Sequence, residues 1–466
     1  MTDTGRRLLD QFLGALGAHH DPGPFPRVVL AGGGSLPSSF AVSDLAEASI
    51  GAAGAALAAL ACVDRRVPTP TTTVHRDLAS AWFGFSIRPD GWELPSPWDA
   101  VAGDYPTADG WIKLHTNAPH HRAAALGVLD VPEDRDAVAA AVAGWSSHDL
   151  ESAVVEAGGA AASMRSMAAW DLHPQGRAVA SEPLFHLERT SPAVSPLRLP
   201  GTGRPLEGLR VLDMTRVLAG PVATRLLAGW GADVLRIDPP GWDEPGVVPE
   251  ITLGKRCARL DLRTAADRDH LLGLLAGADI LVHGYRPDAM DRLGLGVEVR
   301  AEVCPGLVDV SLDAYGWTGP WAGRRGFDSL VQMSSGIAWA GMTANGAGRP
   351  VPLPVQALDH ATGYLLASAA LTGLALRRSE GIGSRWRTSL ARMARVLVDA
   401  GVTTGDDGGP MVPQKARSDA PAERTSWGDA RRLPPPVEVD GAPLRWSIPA
   451  GRLGSSDPEW ATARTD

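Results

Sequence analysis

The stretch from Leu206 to Pro240 holds the residue spacing best suited to chemistry. A short apolar run, Val211-Leu212, breaks at Asp213-Met214-Thr215. Gly220-Pro221 then stands just inside a helical pattern, and a second apolar run from Ala232 to Ile237 ends at Asp238-Pro239-Pro240. This is strand, turn, helix, strand. The free amides at the start of such a helix suit a phosphate, and proline is tolerated there because its missing N–H would be unpaired anyway. Asp359 heads an Ala/Leu-rich helical pattern over 360–378, a place where aspartate often serves as an N-cap. Other candidates are weaker. Gly32-Gly33-Gly34 has no Lys-Ser/Thr after it and reads as a turn. His115, His120 and His121 have no Cys or Glu to complete a metal site, so no metal is expected. The first turn lacks GxGxxG, which leaves dinucleotide binding unsupported.

The elements that must position these residues alternate from 205 to 400. Strands are expected at 209–213, 232–237, 279–283 and 307–311, and helices at 222–230, 265–276, 288–292 and 360–378. Such alternation indicates an α/β fold, a Rossmann-like parallel sheet with crossover helices. Residues 76–200 read as a smaller α+β domain, with a hairpin turning at Asp109-Gly110 and helices at 121–126, 135–144 and 148–157, the last N-capped by Ser147. Residues 1–75 form an N-terminal helical segment (6–16 and 40–62) expected to pack on the large domain, with 36–75 against its sheet. Residues 196–203 read as a linker, and 401–466 as an extended C-terminal tail rich in Pro, Gly and charge.

Composition bounds the rest. A chain of 466 residues suggests about two to three domains. With 44% apolar and 21% charged residues it can bury a core, and a net charge of −9 argues against general nucleic-acid binding. The apolar stretch 50–63 is too short to span a bilayer and reads as a buried helix packed through small side chains, so no membrane partner is expected. The first 30 residues show no signal-peptide pattern, and three scattered cysteines (Cys62, Cys257, Cys304) suit a reduced, cytoplasmic protein.

Six stretches, in order, resemble the large domain of the family III CoA-transferases, the CaiB/BaiF-type group that includes formyl-CoA transferase, carnitine CoA-transferase and α-methylacyl-CoA racemases. They are 212–221, 231–238, 254–263 and 278–287 with Arg292-Leu-Gly-Leu295, then 326–332 and Asp359-His-Ala-Thr-Gly363. The resemblance implies the family III fold and makes Asp359 the nucleophile that carries CoA as an aspartyl thioester between two carboxylic acids. It places CoA against Val217, Leu218, Ala219, Lys255, Arg256, Arg325, Gly326, Phe327 and Asp328, with Arg216 and Arg263 as further phosphate partners by position and charge. It implies no permanently bound cofactor, coenzyme A or acyl-CoA as substrate with a carboxylic acid as partner, and an interlocked homodimer.

The departures from the pattern are specific. The racemases carry a His where this chain has Phe327, and a Glu near the position of Ala118, which favours transfer over racemisation. No counterpart of the Gly-rich loop of formyl-CoA transferase stands in 76–200, and the chain is short between Pro240 and Gly254. Tyr105 to Ile112 and His173-Pro-Gln175 resemble the family's small domain, which normally follows the large one, so the domain order looks permuted. An acyl-CoA racemase or isomerase, or a catalytically weak CoA-binding protein, are the alternatives.

Overall fold

Small residues make up most of the helix Val42–Cys62, and nearly every one is buried. It is long and apolar enough to cross a membrane, yet 83% of its apolar window lies inside the protein. The computed structural model describes residues 2–17, 26–63, 70–194, 196–197, 199, 203–403 and 422–461, so half of the expected 196–203 linker lies outside the described residues. Helix Asp3–Gly17 packs on Val42–Cys62, as does a small sheet in which β1 (Val28–Ala31) pairs in parallel with β2 (Thr72–His75). A Cβ on Gly54 would meet Thr72 at 2.5 Å, so glycine sets how closely that sheet approaches. The Gly32–Gly34 turn is structural: Arg76 donates from Nε to the Gly34 carbonyl at 3.0 Å and pairs with Asp44 and Glu47.

After a short strand, β3 (Ile87–Pro89), comes a small α+β unit. β4 (Gly103–Pro106) and β5 (Trp111–Leu114) form the hairpin, and β6 (Ala161–Ser163) adds antiparallel to β5. Helices Pro119–Leu129, Arg135–Val142 and Ser147–Glu156 bury Ile112, Leu114, Val138, Val142 and Leu150 against them. Ser147 is not the N-cap of the last helix but its first residue. Ser146 is the cap, and the Ser147 N–H donates instead to Asp109 in the hairpin turn at 2.8 Å.

β7 (His186–Pro192) leaves this unit and joins the main sheet. That sheet adds β8 (Arg210–Met214), β9 (Asp233–Asp238), β10 (Lys255–Arg259), β11 (Ile280–His283), β12 (Val308–Asp313) and β13 (Ile382–Ser389). The order is β10-β9-β8-β11-β12-β13-β7, parallel except for β7 against β13. Without β7 this is the Rossmann order, and its direction reverses between β8 and β11, where a crevice opens at the strands' carboxyl ends. Apolar periodicity does not reveal β10 or β13, because both carry arginines inside the sheet.

The helix Ala357–Glu380 lies across β12 and β13 beside the helix Ala219–Gly229. Val42–Cys62 packs on its outer side. The expected contact of residues 36–75 with the main sheet is therefore indirect: a helix buried over nearly its whole length needs apolar cover on both sides, and it stands between them. The described part of the C-terminal region, 422–461, is not a trailing tail. β14 (Ala422–Thr425) pairs with β15 (Gly428–Arg432), β15 pairs with β3, and β16 (Val437–Val439) pairs with β2. Strand edges left open by the N-terminal segments are closed this way.

Three regions meet at Glu250. Its buried carboxylate accepts from the Ser86 hydroxyl at 2.7 Å and the Ser86 and Ile87 amides at 3.0 and 3.1 Å, and pairs with Arg225 and Arg432. Burial opposes its charge, but the two guanidiniums and these hydrogen bonds hold its carboxyl down at about 2. Removing one member of such a cluster strands buried charge, so Glu250→Ala is expected to cost about 3–5 kcal/mol in chemical denaturation at pH 7. Because the folded carboxyl titrates below its ordinary range, the gap between wild type and variant should be full above pH ~4.5 and close as pH falls through about 2.

Candidate functional site

The turn after β8 is braced from below. Asp213, fully buried, accepts from the Thr215 amide at 3.0 Å, from Thr224 Oγ1 at 2.6 Å and from Lys255 Nζ at 2.9 Å. Lys255 Nζ also donates to the Pro221 carbonyl at 2.9 Å. The lysine thus pins the start of the Ala219–Gly229 helix. Val217 follows with φ 63, a left-handed backbone that costs a β-branched residue about 1–3 kcal/mol. Its amide donates to Glu244 at 2.9 Å, and Glu244 pairs at 2.5 Å with Arg236, itself bound to Asp238. The short segment after Pro240 therefore holds this strained turn in place. Gly363 lets the head of Ala357–Glu380 approach it: a Cβ there would meet the Ala219 carbonyl at 2.4 Å.

Two cavities open here and share a wall formed by Val217, Trp242, Phe327 and Asp359. The larger, about 400 Å³, sits at the carboxyl ends of β8, β11 and β12. It gathers Arg216, Arg286, Arg324 and Arg325 with His120 and His121. Arg216 lies between the rings of Trp242 (4.6 Å) and Tyr285 (5.4 Å) and donates to the Tyr285 hydroxyl at 3.1 Å. Arg324 is held by Glu151 at 2.9 Å. Arg286 and Arg325 make no hydrogen bond or ion pair among the described residues, and burial together with Arg286 lowers the pKa of Arg325. Crowded guanidiniums whose donors are not taken up by a bonded carboxylate attract an anion such as a phosphate.

The smaller cavity, about 280 Å³, is walled by Trp98, His115, Leu218, Trp242, Val247 and Phe327. Phe327 stacks on His115 at 3.7 Å, and Trp98 meets His115 edge-on. Burial pushes the His115 imidazole down to about 3, so it is neutral.

Asp359 is not an N-cap. Its helix begins two residues earlier, at Ala357, and the cap comes from outside: Asp328 accepts from the Asp359 amide at 2.9 Å while also bonded by Gln332. Asp359 is only 6% exposed, and its own carboxylate receives no hydrogen bond among the described residues. Burial and then the neighbouring Asp328 charge raise its pKa well above the ordinary value, and burial lifts Asp328 to about 6.

The structure thus brings Arg216, Val217, Leu218, Ala219, Arg325, Gly326, Phe327 and Asp328 together around Asp359. It does not bring Lys255, Arg256 or Arg263 to either cavity. Lys255 is spent on Asp213; Arg256 pairs with Asp233 at 2.7 Å; Arg263 is an exposed side chain paired with Asp261. Their positive charge alone does not show which way the backbone turns them. Trp98, Trp242, Glu244, Tyr285 and Arg286 also line these cavities and carry no signal singled out in the sequence, although Tyr285 and Arg286 lie inside one of the six stretches; His115, weighed there only as a metal ligand, is instead a stacked wall residue. Among the described residues no cluster of three or more His, Cys, Asp or Glu could hold a metal.

The model of CoA-transferase family III matches residues 206–425. A probable fatty acyl-CoA transferase of Mycobacterium tuberculosis is 34% identical over 193 residues, 38% of this chain and 48% of that protein. A succinyl-CoA:glutarate CoA-transferase of Mus musculus is 34% identical over 193 residues, 39% of this chain and 44% of that protein. The crystal structure of a CaiB/BaiF family protein from Brucella suis is 26% identical, covers 48% of this chain and 65% of that one, and superposes with a TM-score of 0.37. The chain spans about half the length of the curated relatives it matches. The matched residues 206–425, similar to CoA-transferase family III, carry the braced turn, Arg286, Arg325 and Asp359.

Proposed function

We propose that this chain transfers CoA between carboxylic acids through a covalent bond to Asp359. One observation carries the reading: an unbonded, buried carboxylate stands at the wall between a cationic cavity and an apolar one. The CoA phosphates lie against Arg216, Arg286 and Arg325, the thioester reaches Asp359, and the acyl group enters the smaller cavity. An Asp359 oxygen attacks the thioester carbon, the C–S bond breaks, and its electron pair leaves with sulfur as thiolate. The resulting anhydride is attacked by that thiolate at the aspartyl carbon, releasing the first acid as carboxylate. The second acid's carboxylate then attacks the aspartyl thioester carbon and expels the thiolate, forming a second anhydride; the thiolate attacks its new acyl carbon, and the C–O bond breaks to free the Asp359 carboxylate. Every step keeps the thioester's energy only if water is excluded, and Trp98, Trp242 and Phe327 supply dry walls. Ala118 and Phe327 line the cavity where a racemase would need an acid and a base, which supports transfer over racemisation. We further propose a cytoplasmic homodimer; light scattering should give twice the chain mass.

Asp359→Ala is expected to lower CoA exchange by roughly three orders of magnitude or more while the fold persists; exchange surviving at wild-type rate would reject the reading. Hydroxylamine should release a CoA-dependent adduct from the wild type and none from the variant. Arg286→Ala and Arg325→Ala should each raise KM for acyl-CoA about tenfold with little change in kcat, measured by steady-state kinetics. Asp359 attacks only when ionised, so activity should fall as pH drops through its raised pKa. Asp328→Asn removes the neighbouring charge, and the acid limb of the pH–rate profile should move to lower pH.

A further inference from the structure

We infer that the acids and acyl groups this site accepts are apolar monocarboxylic ones rather than dicarboxylic ones, an inference that rests on the CoA-transfer reading above. The smaller cavity is where the acyl group would lie, and its character is set by Trp98, Trp242, Phe327, Leu218 and Val247. No lysine or arginine lines it among the described residues. Its charged groups are all acidic: Asp99, Asp243 and Glu244, together with Asp328 and Asp359. Asp99 is answered by Arg122 and Glu244 by Arg236, whereas Asp243 has no cationic partner among the described residues. His115 is stacked between rings and buried, so it presents a neutral face.

The polar groups point the same way. Ser329 Oγ and Gln356 Oε1 are buried without a hydrogen-bond partner, and both residues line this cavity beside Asp359. The Ser329 hydroxyl can donate to an oxygen of the one reacting carboxyl group, whereas Gln356 Oε1 only accepts and gives a carboxylate nothing to bond. A second carboxylate in this cavity would meet aromatic rings and acidic side chains, Asp243 among them, with no lysine or arginine in the lining to receive it. A volume of about 280 Å³ is near the lower bound for small-molecule sites, which suits a medium-length or single-ring acyl group.

The test uses the full chain with matched substrates: hexanoyl-CoA and glutaryl-CoA as donors, hexanoate and glutarate as acceptors. The kcat/KM of exchange and the mass of the Asp359 adduct are both read. Hexanoyl and hexanoate should be favoured roughly 100-fold or more over their dicarboxylic counterparts. Asp243→Lys, at an exposed position of the lining, should raise the ratio of kcat/KM for glutarate to that for hexanoate roughly tenfold. Equal or better use of glutaryl-CoA, with the Asp359 adduct present, overturns this inference and leaves the transfer reading standing. An unchanged preference in Asp243→Lys overturns the charge argument. If neither thioester exchanges nor labels Asp359, the transfer reading fails and this inference falls with it.

Discussion

The buried carboxylate of Glu250 is the interaction on which the rest of the architecture depends. It joins residues from the N-terminal region (Ser86, Ile87), the Rossmann-like sheet region (Arg225) and the C-terminal region (Arg432) in one cluster. Its surroundings extend straight to the site. Arg225 lies under the ring of Trp82, which stacks on Trp446, and Phe83 stacks on His360 and Tyr364 in the first turns of the Asp359 helix. A charge taken out of water this far must have all its partners present at once. That requirement ties both ends of the chain to the wall of the candidate site.

A second buried charge problem is left unsolved by design of the same helix. Asp359 and Asp328 lie together out of water with no cation bonded to either, and the Asp328 carboxylate spends its acceptors on capping the helix. Several other buried acids in this fold are matched: Asp213 by Lys255, Asp309 by Arg300, Glu151 by Arg165. Unmatched carboxylates at the meeting of two cavities are where chemistry is most economical to place, because burial has already raised the energy of the charged form.

The strained Val217 turn shows how the two cavities are kept distinct. The residue separates the cationic side from the apolar side, and its left-handed backbone is held by Glu244 from the short segment after Pro240. That segment also contributes Trp242 and Val247 to the walls. Its brevity brings the indole and the carboxylate directly onto the turn.

Much of the fold was legible from the chain alone. The periodicity of 206–240 and the alternation up to residue 400 determined a parallel α/β sheet, since β8, β9, β11 and β12 are apolar enough to betray burial on both faces. The head position of Asp359 on a long buried helix was also written in the local pattern. Only the tertiary structure decided what Asp359 is. Its cap, Asp328, is 31 residues away in sequence, and no local rule predicts that a carboxylate will cap a helix from another element. Nor does charge composition tell a brace from a binding group. Lys255 lies in a family-like stretch and Arg325 directly before one, yet the lysine points inward to a buried aspartate and the arginine into a cavity without a partner among the described residues. The reason is physical: period and propensity act between neighbours in the chain, whereas pairing, burial and the shift of a carboxyl group depend on which distant groups the fold brings within a few ångströms.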